Sequence, residues 1–183
     1  MAHQIKQGIS VEYRPRVLLE RPALASLLGV VSSEWSRLDS EIMFLYAYLM
    51  GRYLPQIPGF TPPLHPVAFQ VFDTLETQRL RLELLSKLAK WIVKDEKLLA
   101  ELETVVITEI KKASKLRNTL VHANWGVAEE YPNGLILMPT FGRHLVYEEA
   151  DFNEAIDRIL EAREKSKDFE TKLRALIETK NSA

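Results

Sequence analysis

Four polar side chains near the middle of the chain stand at spacings of four, three and four: Lys111, Lys115, Asn118 and His122. Residues three and four apart share a helix face. The four therefore form one column of two cations, an amide and an imidazole. Such a column suits an anion. The lysines attract a phosphate backbone, and the amide and imidazole stand at its end. Imidazole also gains and loses its proton near neutral pH, which fits it for general acid–base work. Arg117 lies off the column, at the edge of the apolar stripe, and points toward a neighbouring helix more than toward water. Asp39, on an earlier helix, is its candidate partner. The same residue types have a plainer reading. Lysines near a helix C-terminus are favoured by the macrodipole, by about 0.3–1 kcal/mol each. His122 can cap the last carbonyls, and Arg117 can sit in an ion pair that serves packing alone. The residues by themselves leave both readings open.

Other chemistry finds little support. The chain has no Cys, which removes disulfides, thiol nucleophiles and thiolate metal sites together. His3, His65 and His144 are scattered, so no metal site is expected. Glu129-Glu130 and Glu148-Glu149 read as solvated charges rather than paired catalytic carboxylates. Ser26, Ser32, Ser33 and Ser36 fall on a helix with no nucleophile elbow. Neither Gly-x-Gly-x-x-Gly nor Gly-x-x-x-x-Gly-Lys occurs, and no cofactor is expected.

The elements that must position the column follow from hydrophobic spacing. Leu24, Leu28, Val31, Trp35, Leu38, Ile42, Leu45 and Leu49 alternate steps of four and three, one unbroken stripe on a long first helix with Gly51 as its stop. Prolines 55, 58, 62, 63 and 66 predict a stiff connecting loop over 54–66. A second helix is expected over 66–93, with Leu75, Leu82, Leu85, Leu88 and Ile92 inward. Asp95 is placed to cap a third, over about 96–122, with Leu99, Leu102, Val106, Ile110, Ala113 and Leu120 inward. Apolar runs at 124–127 and 135–138 flank Tyr131-Pro132-Asn133-Gly134 and predict a hairpin. A last helix over 149–179 carries Phe152, Ile156, Ile159, Leu160, Phe169, Leu173, Leu176 and Ile177 as its apolar set.

The expected fold is all-α: a four-helix, mostly antiparallel bundle with a small β-hairpin between its third and fourth helices. Residues 1–22 read as an extended N-terminal arm, and residues 23–183 as a single domain. Phe44, Tyr46 and Tyr48 give the first helix a second, aromatic face, which suggests part of a dimer interface. Trp125 and Tyr131 are placed either to pack the hairpin on the helices or to stack on bases.

Composition sets the outer limits. The 183 residues are 46% hydrophobic and 27% charged, which suits a folded domain rather than a disordered one. Lys and Arg number 24 against 25 Asp and Glu, so a globally basic nucleic-acid coat is excluded while a local basic patch is not. The longest apolar run, residues 42–50, is far short of the roughly 20 residues that cross a bilayer. Residues 1–16 hold no apolar stretch of signal-peptide length, and a soluble cytoplasmic protein is expected.

The stretch Lys115-Leu116-Arg117-Asn118-Thr119-Leu120-Val121-His122 resembles the signature of HEPN (higher eukaryotes and prokaryotes nucleotide-binding) domains. Their pattern is Arg, four to six residues, then His, often with Asn after the Arg, at the end of a late helix. The likeness extends over about residues 24–179, and Asp39, in the first helix after Trp35, is similar to a familial acidic position. The resemblance implies a metal-independent endoribonuclease, of the kind found as toxins and defence effectors, working as a homodimer on RNA. His122 would carry protons, Arg117 would stabilise charge on the phosphate, and Asn118 would orient the imidazole or bind a phosphate oxygen. Lys111 and Lys115 would bind the RNA backbone and Asp39 would support Arg117. An antitoxin or other protein partner is implied as well. Residues five apart stand about 140° apart around one helix, so Arg117 and His122 are expected to meet across a dimer rather than within one chain. Two alternatives stand beside this: a non-catalytic module of the same kind that binds nucleotide, RNA or protein, and a purely structural helical dimer.

Overall fold

The computed structural model of the chain describes residues 2–51, 54–55, 65–139 and 142–181. It is mostly helical, with one small antiparallel sheet. Helix α1 spans Pro22–Met50 and opens on proline, whose missing N–H costs nothing at the first helical position. Every residue of its predicted stripe is buried, from Leu24 to Leu49. The Gly51 amide closes the last turn on the Ala47 carbonyl at 2.8 Å. Of the expected proline loop, Pro58, Pro62 and Pro63 lie outside the described residues.

The helix expected over 66–93 is two helices, α2 (Pro66–Thr74) and α3 (Gln78–Ile92). The break has a local cause. Thr77 takes an extended conformation and its hydroxyl accepts from the Leu80 amide at 3.3 Å, capping α3. Arg81 Nε reaches back to the Leu75 carbonyl at 3.0 Å and holds the turn. The third expected helix is present as α4 (Glu96–Glu101), a π turn (Leu102–Val106) and α5 (Ile107–Val121), which follow without a gap. Asp95 caps it through the Leu98 amide at 2.9 Å. A π turn takes up one extra residue, so angles counted from Leu99 do not carry past Val106. The spacing from Lys111 to Asn118 lies wholly beyond it and keeps its column. The last helix, α6, spans Glu149–Asn181, with Phe152, Ile159, Phe169, Leu173 and Ile177 buried. Leu160, expected with them, is 42% exposed.

The chain divides into two compact units. The first is built from Met1–Trp35 and Lys112–Leu160. It holds the sheet: β1 (His3–Gln4), β2 (Asn124–Gly126), β3 (Leu135–Met138) and β4 (Leu145–Tyr147), in the order β1-β4-β3-β2 and antiparallel throughout. The expected hairpin is the β2–β3 pair, with Trp125 opposite Leu137. The sheet is wider than a hairpin because β4 and the N-terminal β1 add to its edge. Residues read from sequence as an extended arm thus supply a strand, a bridge from Glu12 to Val127, and a 3-10 turn over Val17–Glu20. Ile5, Ile9 and Val11 pack on Ala128, Ile136 and Val146 and cover one face of the sheet. That explains the apolar run of β3, which is buried on both faces over Leu135, Ile136 and Leu137.

The second unit comprises Ser36–Lys111 and Glu161–Ala183. Here two residues of the aromatic second face of α1, Tyr46 and Tyr48, are buried within the chain, while Phe44 is 38% exposed. Tyr46 is buried against Phe72, ring centroids 5.6 Å apart, and Phe44 meets Phe69 edge-on at 5.7 Å. The Arg174 guanidinium lies 4.3 Å over the Tyr48 ring. Half-buried ion pairs tie the helices of this unit: Asp39 to Arg81 at 2.5 Å and Glu41 to Arg163 at 2.7 Å. Among the described residues, no helix is long and apolar enough to cross a membrane.

Gly126 shows how closely the N-terminal segment sits on β2. A Cβ there would fall 2.7 Å from Val11 Cγ1 and 2.7 Å from Tyr13 Cε1. Gly126→Ala should therefore push this segment outward and cost about 1–3 kcal/mol, the usual range for overpacking. Urea unfolding checks it: a midpoint equal to wild type would show that the segment does not close on β2.

Candidate functional site

The site forms where α5 ends, inside the first unit. The last carbonyls of a helix lack partners within it. Here the Trp125 indole Nε1 donates to the Leu120 carbonyl at 3.1 Å in a buried bond. The indole itself is only 8% exposed and lies between Tyr147, edge-on at 5.4 Å, and Phe152 at 5.7 Å. Of the two sequence readings of Trp125, packing is the one realised, and the ring is not open to a base. Tyr131 is half-buried; its ring stands 5.8 Å from that of His3 and its hydroxyl accepts from the Lys6 amide at 3.3 Å. Burial, and then the charge of Asp151, push the Tyr147 phenol upward from its ordinary value.

His122 directly follows α5, and its amide still donates to the Asn118 carbonyl at 3.3 Å. Its ring turns back over the last turn. Arg117 Nη1 lies 3.2 Å from His122 Nε2 and donates to Asn118 Oδ1 at 2.9 Å. The expectation that Arg117 and His122 could meet only across a dimer is thereby corrected: a long guanidinium and a residue beyond the helix end close the gap within one chain. A guanidinium only donates. Its contact with Nε2 therefore places a donor beside that ring nitrogen. Arg117 itself is half-buried, its guanidinium carbon 5.9 Å from the Trp35 ring centroid, and its Nε makes no hydrogen bond among the described residues. Asn118 and His122 are exposed.

The structure thus brings Arg117, Asn118 and His122 together. Lys115, one turn back on α5, is exposed in the same unit. Two other sequence candidates belong to the second unit and have other company there. Asp39 pairs with Arg81, which takes the place expected for Arg117. Lys111 lines a cavity of about 230 Å³ with Arg79, Ser86 and Glu103. Glu103 accepts from Lys90 at 2.9 Å and from the Ser86 hydroxyl, and those bonds, with the nearby Lys111 charge, hold its carboxyl below the usual carboxylate range. Among the described residues, no group of three or more His, Asp or Glu side chains is gathered to hold a metal ion.

Sequence reasoning missed two contributors. Trp125 was visible as an aromatic but not as the clamp on α5, because nothing in its spacing marks a bond to a carbonyl five residues back. The segment before α1 also escaped notice, for it has no period to read. Comparison with protein-family models, curated proteins and solved structures finds no match for this chain.

Trp125→Phe keeps an aromatic ring but leaves the buried Leu120 carbonyl without its donor. The expected loss is about 1–3 kcal/mol, read by thermal or urea unfolding. Faster exchange of the amides in the last turn of α5 should accompany it. Unchanged exchange there would show that the indole bond does not hold the helix end.

Proposed function

We propose that the chain is a metal-independent endoribonuclease of the HEPN-like kind, with His122, Arg117 and Asn118 as its catalytic group. The observation that carries this reading is the meeting of a guanidinium, an amide and an imidazole Nε2 at an exposed helix end. RNA supplies its own nucleophile in the 2′-hydroxyl. That hydroxyl gives its proton to His122 Nε2 as its oxygen bonds to phosphorus. The bond to the 5′-oxygen breaks, that oxygen takes a proton from water, and a 2′,3′-cyclic phosphate remains. Arg117, already beside Nε2, donates to the phosphoryl oxygens as charge builds on them. Asn118 fixes the guanidinium through its Oδ1. Lys115 draws in the RNA backbone, and Lys111, although placed near Glu103, adds to the positive charge along α5.

A homodimer, a role as toxin or defence effector and an antitoxin partner follow from the resemblance carried by Arg117-Asn118-x-x-x-His122, while the four-helix arrangement and a cytoplasmic setting follow from the spacing of apolar residues. They belong to the same proposal. Sedimentation equilibrium tests the dimer, since a mass of 21.0 kDa at every concentration would refute it. A non-catalytic module is the second reading. It is favoured by the contact that Arg117 makes with Nε2 in the free chain.

Cleavage of total RNA by wild type and His122→Ala, purified identically, decides between them. The ribonuclease reading expects activity that survives EDTA, leaves 2′,3′-cyclic ends and falls about 10²–10⁴-fold in His122→Ala. Lys115→Ala should weaken RNA binding and flatten its salt dependence. Equal cleavage by wild type and His122→Ala would give the site to the non-catalytic module.

A further inference from the structure

A second cleft opens in the first unit beside the end of α5. It has a volume of about 460 Å³ and runs between the segment before α1 and strand β2. Its walls include the Tyr13 ring, Leu18 and Met138, and its polar lining residues include Arg14, Arg16 and Asn124. The size is that of a small-molecule pocket. Tyr13 and Met138 are 37% and 43% exposed and give the cleft apolar walls. Burial raises the Tyr13 phenol, which therefore stays neutral.

Arg16 is the unusual residue here. It sits at φ 65°, ψ 17°, and among the described residues it is the one non-glycine with positive φ. Left-handed backbone costs an ordinary side chain about 1–2 kcal/mol, a cost Gly escapes. The chain places an arginine there instead, exposed and at the rim of the cleft. Among the described residues it forms no ion pair, whereas its neighbour Arg14 is engaged by Glu12 and Glu20 at 2.8 and 2.9 Å. A guanidinium held out in a strained turn beside apolar walls is placed to meet an anion.

We infer that this cleft holds one nucleotide of a ribonucleic acid substrate next to the Arg117–His122 pair, and so selects where the chain cuts. The inference rests on the ribonuclease reading for its substrate class. Tyr13 and Met138 offer flat and polarizable faces to a base, Arg16 holds the phosphate attached to that nucleotide, and the exposed Asn124 amide reads the base edge with its donor and acceptor. Geometry ties the cleft to the chemistry. Asn124 lies two residues after His122, so their Cα atoms are at most about 7 Å apart, a length comparable with one nucleotide. Gly126 belongs to the same device, because only an absent side chain lets Tyr13 settle over β2.

The test has two arms. The four ribonucleoside 3′-monophosphates are titrated separately into the full chain by calorimetry, and cleavage positions are mapped on a randomised RNA. Wild type should bind the nucleotides unequally and cut with the matching preference. Arg16→Gly keeps the left-handed turn and should not destabilise the fold. It should weaken all four nucleotides alike, because they share the phosphate. Tyr13→Ala should weaken binding by about 5- to 150-fold, the range for losing one stacked base. Asn124→Ala should level the four affinities and blur the cleavage preference. Nucleotide affinity and cleavage preference both unchanged in Arg16→Gly and Tyr13→Ala would overturn the inference, with His122-dependent cleavage still intact. Arg16-dependent nucleotide binding in a chain whose RNA cleavage does not depend on His122 would uphold the cleft and discard the ribonuclease reading. A dimer that Met138→Arg dissociates would assign the surface to a second copy and overturn the inference.

Discussion

One buried hydrogen bond decides where α5 stops. The Leu120 carbonyl has no partner within its own helix and takes one from Trp125 Nε1. The indole can reach it only if the chain reverses at once after Val121 and runs back as β2. That reversal has two effects. It starts the sheet, since Trp125 sits in β2 opposite Leu137. It also leaves His122 at the helix end, its amide still on the Asn118 carbonyl and its imidazole 3.2 Å from Arg117. Fold and site therefore depend on the same few atoms.

Hydrophobic spacing made much of the fold legible. The stripe on α1 could be read because a long helix against a core repeats its constraint at every turn, and all eight of its positions are buried. The hairpin was legible from Asn133-Gly134 between apolar runs. What stayed hidden depends on single contacts. The break between α2 and α3 is set by the Thr77 cap and by Arg81 reaching Leu75, neither of which disturbs the apolar period. The π turn at Leu102–Val106 likewise leaves the buried positions in place while altering the phase beyond them. Strand β1 has only two residues, too few for any period to show.

The candidate site was legible in its residue types and not in its geometry. Arg117, Asn118 and His122 stand out in the sequence, yet helical angles put Arg117 and His122 on different faces. That arithmetic counts backbone directions, whereas the contact is made at the far ends of two side chains, Arg117 Nη1 and His122 Nε2. Asp39 shows the opposite limit. It fits as a partner for a buried arginine, and it has one, but the arginine is Arg81. Charge type can be inferred from sequence, whereas the choice among twelve arginines requires the packing.

The contact between Arg117 and His122 bears on the order of events. A guanidinium only donates, and Arg117 Nη1 lies beside Nε2. In the free chain the guanidinium therefore stands over the atom that would act as base. A phosphodiester is a stronger acceptor for a guanidinium than a neutral imidazole is, because it is charged and matches the planar fork. On the ribonuclease reading, the arriving phosphate draws Arg117 away and uncovers Nε2 at the moment the 2′-hydroxyl comes within reach. Asn118 limits the travel by holding the same Nη1. The group that later stabilises the transition state would thus also keep the base covered until substrate is present. A single chain contains the parts for this, so a second subunit would have to contribute something other than the pairing of Arg117 with His122.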